Sequence, residues 1–175
     1  MDSLPILVRD GIRLREVDLA DAAALTTLFQ RREVSQYLDP PPATIDGFAQ
    51  WITHIQTRRA EDRAVSFTLL TGNDEVSGLF TAMRMQERER AEIGFAIAPH
   101  LWGTGTFQTA IAVYFDFLFT QWGAKTLIGK TQKTNVRAVG AMRKLGARMI
   151  DESVRNGNPE FVWAIEATGH RFTTD

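Results

Sequence analysis

The chain has no cysteine among its 175 residues. That excludes disulfides, thiolate metal sites and a catalytic thiol, and it leaves the redox compartment unread. Neither sign of charge is in excess, because 20 lysines and arginines face 21 aspartates and glutamates. No global positive field of the kind that accompanies nucleic-acid binding exists, so any anion site has to be local. Arg58-Arg59 is too short for a basic stripe, and Glu87-Arg88-Glu89-Arg90 alternates in sign as a solvated turn does. Long apolar runs are missing as well. The strongest, Thr106 to Trp122, is interrupted by Gln108, Asp116 and Gln121 and falls short of a membrane span. The short run from Leu4 to Val8 has no basic flank before it and follows Asp2, which is not the pattern of a signal peptide. The expectation is a cytoplasmic protein with no membrane and no nucleic-acid partner.

What is present is ordinary globular composition, 44% hydrophobic and 23% charged, enough to bury one continuous core without metals or crosslinks. Neither an internal repeat nor a linker divides the chain, so residues 1–175 read as a single domain with its core over 11–165. Residues 11–16 alternate apolar with charged side chains, as a half-buried strand does. Asp18 or Asp21 then caps a helix whose face is Ala22, Leu25, Leu28 and Phe29. Pro40-Pro41-Pro42 stops it in a loop that starts at Tyr37, and Thr44 with Asp46 opens a second helix carrying Ile45, Phe48, Ile52 and Ile55.

Ala64 to Thr71 and Glu75 to Arg84 flank Gly72-Asn73-Asp74 as a hairpin. Arg90 to Ala98 places Ile93, Phe95 and Ile97 on one face, and Glu92, Gly94, Ala96 and Ala98 on the other. A mostly apolar helix follows over 106–122, then a strand over 124–131, a helix from Asn135 to Leu145 ended by Gly146, and two strands around Asn156-Gly157, one over 147–151 and one from Glu160 to Ala164 or slightly beyond. Residues 168–175 carry no periodicity and are expected to fray. The order of elements reads as a mixed α/β sandwich.

One segment combines a strand, a glycine loop and a helix start in direct succession: His100-Leu101-Trp102-Gly103-Thr104-Gly105-Thr106. Helix-start amides lack intrahelical acceptors and sit at the positive end of the helix dipole, which makes an anion site. Gly103 and Gly105 let backbone approach a phosphate closely, and Thr104 and Thr106 add hydroxyl donors. A plain strand-to-helix turn would use the same glycines. The loop lacks both the Gly-Lys-Ser/Thr ending of a triphosphate loop and the third glycine of a dinucleotide fold.

Ala91 to Gly105 resembles the central motif of the GNAT acetyltransferases, written Gln/Arg-x-x-Gly-x-Gly/Ala. A second block, Thr134-Asn135-Val136-Arg137-Ala138 with Arg143-Lys144-Leu145-Gly146-Ala147, is similar to that family's Asn-x-x-Ser segment and Lys-Leu-Gly-Phe ending. The tryptophan-glycine pair, the opening Leu14-Arg15 with Asp18 and Asp21-Ala22, and Val34 to Leu38 resemble the branch of ribosomal-protein N-terminal (alanine/serine) acetyltransferases. Three positions depart from the pattern. His100 stands for Gln or Arg, Ala138 for the Ser, and Met142 where relatives carry a Tyr that protonates the leaving thiolate.

The resemblance implies an α/β (α+β) fold, a mixed, mostly antiparallel twisted sheet of about seven strands flanked by about four helices. It implies acetyl-CoA as co-substrate, no metal, and an amine acceptor that is a small molecule or a peptide N-terminus, handled by a monomer or homodimer. The diphosphate then falls to His100, Leu101, Trp102, Gly103, Thr104, Gly105 and Thr106, and the pantetheine arm to backbone at Phe95 and Ile97 and to Asn135. Asn135 is equally placed to cap its helix. Glu92 is the candidate general base, acting through water, with a solvated strand-end carboxylate as its plainer reading. His54 has no assigned role, and Tyr37 and Trp51 are read either as lining the acceptor pocket or as packing. A catalytically silent acyl-CoA-binding module is the alternative function.

Overall fold

The computed structural model describes residues 3–169, which form one open sheet with helices on both faces. Strand order is β1-β2-β3-β4-β5-β6-β8-β7. The strands are β1 (Leu7–Arg9), β2 (Ile12–Glu16), β3 (Ala64–Thr71), β4 (Glu75–Arg84), β5 (Arg90–Ile97), β6 (Thr126–Gln132), β7 (Arg148–Arg155) and β8 (Asn158–Glu166). Every neighbouring pair is antiparallel except β5 with β6. Helices α1 (Ala22–Phe29), α2 (Arg32–Ser35), α3 (Ile45–Ala60), α4 (Thr106–Thr120) and α5 (Val136–Lys144) complete it.

The strand and the helix beyond the expected seven and four are the short ones, β1 and α2. β1 pairs with β2 across Asp10-Gly11, both at positive φ (47° and 77°), a two-residue turn that an aspartate-glycine pair favours. Three residues are too few for a readable alternation. α2 is four residues long, hardly more than one turn, and leaves no helical period in the sequence.

β7 runs on to Arg155, past the expected 147–151, and β8 starts at Asn158, ahead of the expected Glu160, because Asn156 and Gly157, at φ 49° and 79°, close the hairpin tightly enough for Arg155 to pair with Asn158. The 3-10 turn Ala167–Gly169 occupies the start of the segment expected to fray, and residues 170–175 lie outside the described residues.

Two apolar layers cover the sheet. On one face α4 lays Ile111, Tyr114, Phe115 and Leu118 over Phe67, Phe80 and Ile93. On the other, α1 and α3 pack Leu25, Phe29, Phe48 and Ile52 against Ala64, Leu79 and Ala98. The near-complete apolar girth of α4 is what a helix wedged between sheet and neighbours requires. Among the described residues no helix is long and apolar enough to cross a membrane.

Candidate functional site

The one parallel pairing is also the shortest match between long strands. β5 and β6 pair only from Arg90 with Thr126 to Ile93 with Gly129. Beyond that point β6 stays with β8 as far as Gln132, and β5 stays with β4 to Ile97. The sheet therefore forks, and the last half of β5 has one edge without a strand partner. Gly129 stands at the crotch, and Met142 of α5 fills the space its side chain would occupy, since a Cβ there would lie 2.6 Å from the Met142 Cε. Met142 is accordingly buried core, and Ala138 lines the opening with a methyl group.

The fork opens into a cleft of about 470 Å³. It is walled by Phe95, Ala96 and Ile97 of β5, by Trp102, Gly103 and Phe107 around the start of α4, by one face of α5, and by Glu33, Val34, Tyr37 and Leu38 from α2 and its following loop. Because α2 belongs to the α1/α3 face while α4 and α5 belong to the other, the cleft runs through the sheet at the fork.

The glycine loop has the backbone its composition anticipates. Gly103 and Gly105 sit at φ 76° and 87°, and Gly105 is the N-cap of α4. Their amides donate no hydrogen bond to other described residues, whereas those of Leu101, Trp102 and Thr104 close turns onto Ala98, Pro99 and Leu101. Thr104 Oγ1 donates to the Leu101 carbonyl (2.7 Å) and lies 2.9 Å from Thr106 Oγ1. The Trp102 indole N–H donates to the Ile97 carbonyl at 3.3 Å, tying loop to strand. Free amides at positive-φ glycines, a helix start and an open cleft wall fit a phosphate-bearing ligand.

Of the predicted site residues, Phe95, Ile97, Trp102, Gly103 and Asn135 meet around the cleft. His100, Leu101, Thr104, Gly105 and Thr106 belong to the same loop but not to the cleft lining. Asn135 Oδ1 accepts from the Ala138 amide at 3.1 Å and so caps α5, while its NH₂ group remains able to donate toward the cleft.

Glu92 stands apart, on the opposite face of β5, one position before pairing ends. Lys130 Nζ donates to its Oε2 at 2.8 Å and Arg155 approaches its Oε1 at 3.4 Å. Arg155 also donates to Asp39 Oδ2 at 2.5 Å and lies 3.4 Å from Glu160, and Asn156 donates to Asp39 Oδ1 at 3.1 Å. Desolvation lowers the Arg155 guanidinium, but Asp39, Glu160 and Glu92 outweigh it and hold it above its ordinary value. Gln132 donates to the Tyr37 carbonyl at 3.3 Å. The loop after α2 is thus tied across the fork at Tyr37 and Asp39.

Sequence reading did not reach Lys130, Arg155 or Asp39, because their meeting is long-range, and no local spacing announces it. Arg137 is different, since it lies inside the second motif and its charge was in plain view. Tyr37 lines the cleft, whereas Trp51 packs edge-on to Phe48 at 6.3 Å and His54 Nε2 accepts from Arg58. Among the described residues no group of three or more potential metal-binding side chains occurs.

A family model described as "Acetyltransferase (GNAT) domain" matches residues 12–148. The uncharacterized N-acetyltransferase p20 of Bacillus licheniformis is 28% identical over 142 residues, covering 79% of this chain and 80% of that protein. In structure the chain is similar to the ribosomal-protein-S5-alanine acetyltransferase of Vibrio fischeri, with TM-score 0.81, 13% identity and coverage of 94% and 98%. It is also similar to Mycobacterium smegmatis RimJ in complex with CoA-disulfide, with TM-score 0.77, 18% identity and coverage of 95% and 87%. With the family model spanning well over half its length and the forked sheet in place, this chain belongs to the GNAT family and is an acetyl-CoA-dependent acetyltransferase.

Proposed function

We propose that the enzyme moves the acetyl group of acetyl-CoA to a primary amine, a peptide N-terminus or a small-molecule amine, by direct attack on the thioester. The observation that carries this reading is the fork, where a free strand edge opens beside the glycine loop at the start of α4. An amide-containing arm can add to such an edge as a further strand, along Phe95 and Ile97. The loop amides at Gly103 and Gly105 would face the diphosphate. The ribosomal-protein acetyltransferases among the structural neighbours support a peptide N-terminus as acceptor.

In this scheme the neutral amine forms a bond to the carbonyl carbon, the carbon–sulfur bond breaks, and the thiolate takes up a proton to leave as free thiol. The amine proton passes through water to Glu92. Two ion pairs leave that carboxylate with lone pairs able to accept from such a water. Ala138 and Met142 supply no acid for the sulfur, but a thiol of pKa about 8.5 leaves tolerably without one. Positioning then supplies much of the rate.

Release of free thiol from acetyl-CoA, with a panel of peptides and small amines, tests the scheme. Glu92→Gln should bind acetyl-CoA as the parent does and turn over about a hundredfold more slowly. Gly103→Val should lose coenzyme binding, because valine is strained at φ 76° and its side chain would project into the cleft. The missing acid favours a second reading, an acyl-CoA-binding protein without turnover. Tight binding with no thiol released from any amine would select it. Normal binding by Gly103→Val would show that the site is misplaced.

A further inference from the structure

The glycine loop from His100 to Thr106 contains neither arginine nor lysine, yet the cleft beside it has a cation supplied from elsewhere. The Arg137 guanidinium lies 3.4 Å from the centroid of the Trp102 ring. Trp102 is itself anchored through its indole N–H to the Ile97 carbonyl. Among the described residues no carboxylate lies within ion-pairing distance of Arg137, although it lines the cleft together with Gly103.

Its place in α5 has no helical rationale. Arg137 is in the first turn, where the helix dipole opposes a cation, and that turn holds no acidic residue. Lys144, at the favourable end of the same helix, lines the cleft two turns on, and Gly140 between them has open space where a side chain would project. An unpaired, pre-oriented guanidinium beside free loop amides is an arrangement for a phosphate.

Resting on the coenzyme-binding reading above, we infer that Arg137, held over the loop by Trp102, is a phosphate-binding side chain of the cleft. It returns in space, from α5, the cation that the loop lacks in sequence. Stacking leaves the guanidinium edge free to donate two parallel hydrogen bonds while the ring restricts its rotamers, so little ordering remains to be done on binding.

The test measures affinity for CoA, 3′-dephospho-CoA and pantetheine by calorimetry, with weak binders read by competition. Arg137→Gln should lose about tenfold or more for CoA and nothing for pantetheine. Equal losses for CoA and 3′-dephospho-CoA assign the diphosphate, and a loss confined to CoA assigns the 3′-phosphate; either supports a phosphate partner. Arg137→Lys, which keeps the charge but loses the planar stack and the two-pronged donor, should fall between the parent and Arg137→Gln, and Trp102→Leu should cost about threefold through the lost stack. Thermal unfolding checks that each variant folds. CoA binding by a folded Arg137→Gln at parental strength, or an equal loss for pantetheine, overturns the inference. If the parent binds none of the three ligands, the coenzyme-binding reading itself falls, which is a distinct result.

Discussion

Tyr114 shows how far a single side chain can be committed to packing. It is fully buried on α4, edge-on to Phe67 at 5.9 Å and to Phe80 at 5.5 Å, and its hydroxyl has no hydrogen-bond partner among the described residues. Burial pushes the phenol well above its ordinary value, so it does not ionise in the working range. The hydroxyl is a desolvated group without compensation, and Tyr114→Phe should hold or raise stability by about 1 kcal/mol in urea unfolding, with thiol release unchanged. A clear loss of stability would mean that the hydroxyl has a partner after all. From the sequence, Tyr114 was one apolar position on a helix; that its oxygen is stranded is a matter of what surrounds it. The two loop glycines stand at the other extreme, because their positive φ was legible from residue type and context alone.

At the scale of elements, the entry to α1 is the best-determined junction. Asp18 caps the 3-10 turn Leu19–Asp21, and Asp21 completes a capping box with the Asp18 amide. Asp21 also takes two hydrogen bonds from Arg15 of β2, at 2.6 and 2.8 Å, and one from Thr68 of β3 at 2.9 Å. Burial raises this carboxyl, but Arg15, the Asp18 amide and Thr68 together prevail, so it titrates below its ordinary value of 3.8. A depressed folded value places its contribution in full above about pH 4, to be lost as pH falls through the folded value. Asp21→Asn should therefore cost about 2–4 kcal/mol at neutral pH, and its urea midpoint should converge with the parent's on acidification. A constant gap down to low pH would contradict the linkage.

The sequence showed Asp18 and Asp21 as alternative caps of α1. Asp18 instead caps the 3-10 turn ahead of it, and Asp21 stands at the N-cap of α1 without a side-chain hydrogen bond into that helix, its carboxylate taken by Arg15, the Asp18 amide and Thr68; Thr68 lies 47 residues away and is invisible to local reading. β5, α4, α5 and the two-residue hairpin turn were readable because each rests on a local period or a turn residue. The tie from Asp39 to Arg155 joins residues 116 apart, and nothing in either neighbourhood signals the other.

For the whole molecule, the sheet is continuous across the fork only through the four-position pairing between β5 and β6, which alone joins strands β1–β5 to β6–β8 within it. A ligand lodged in the fork touches both halves and binds only the folded chain. CoA at a hundredfold over its dissociation constant should add about 2.7 kcal/mol, which for a domain of this size raises the melting temperature by about 5–10 °C. A shift below about 1 °C at that concentration would mean that CoA does not bind the folded chain in preference to the unfolded one.

The chain alone determined its class, the run of its longer elements and the glycine loop, because hydrophobic period, capping residues and positive-φ positions act within a few residues of one another. Tertiary structure decided the rest. Where β5 parts from β6, which cation stands over the loop, and what surrounds Glu92 depend on contacts between distant segments, which exist only once burial of the two apolar faces has drawn those segments together.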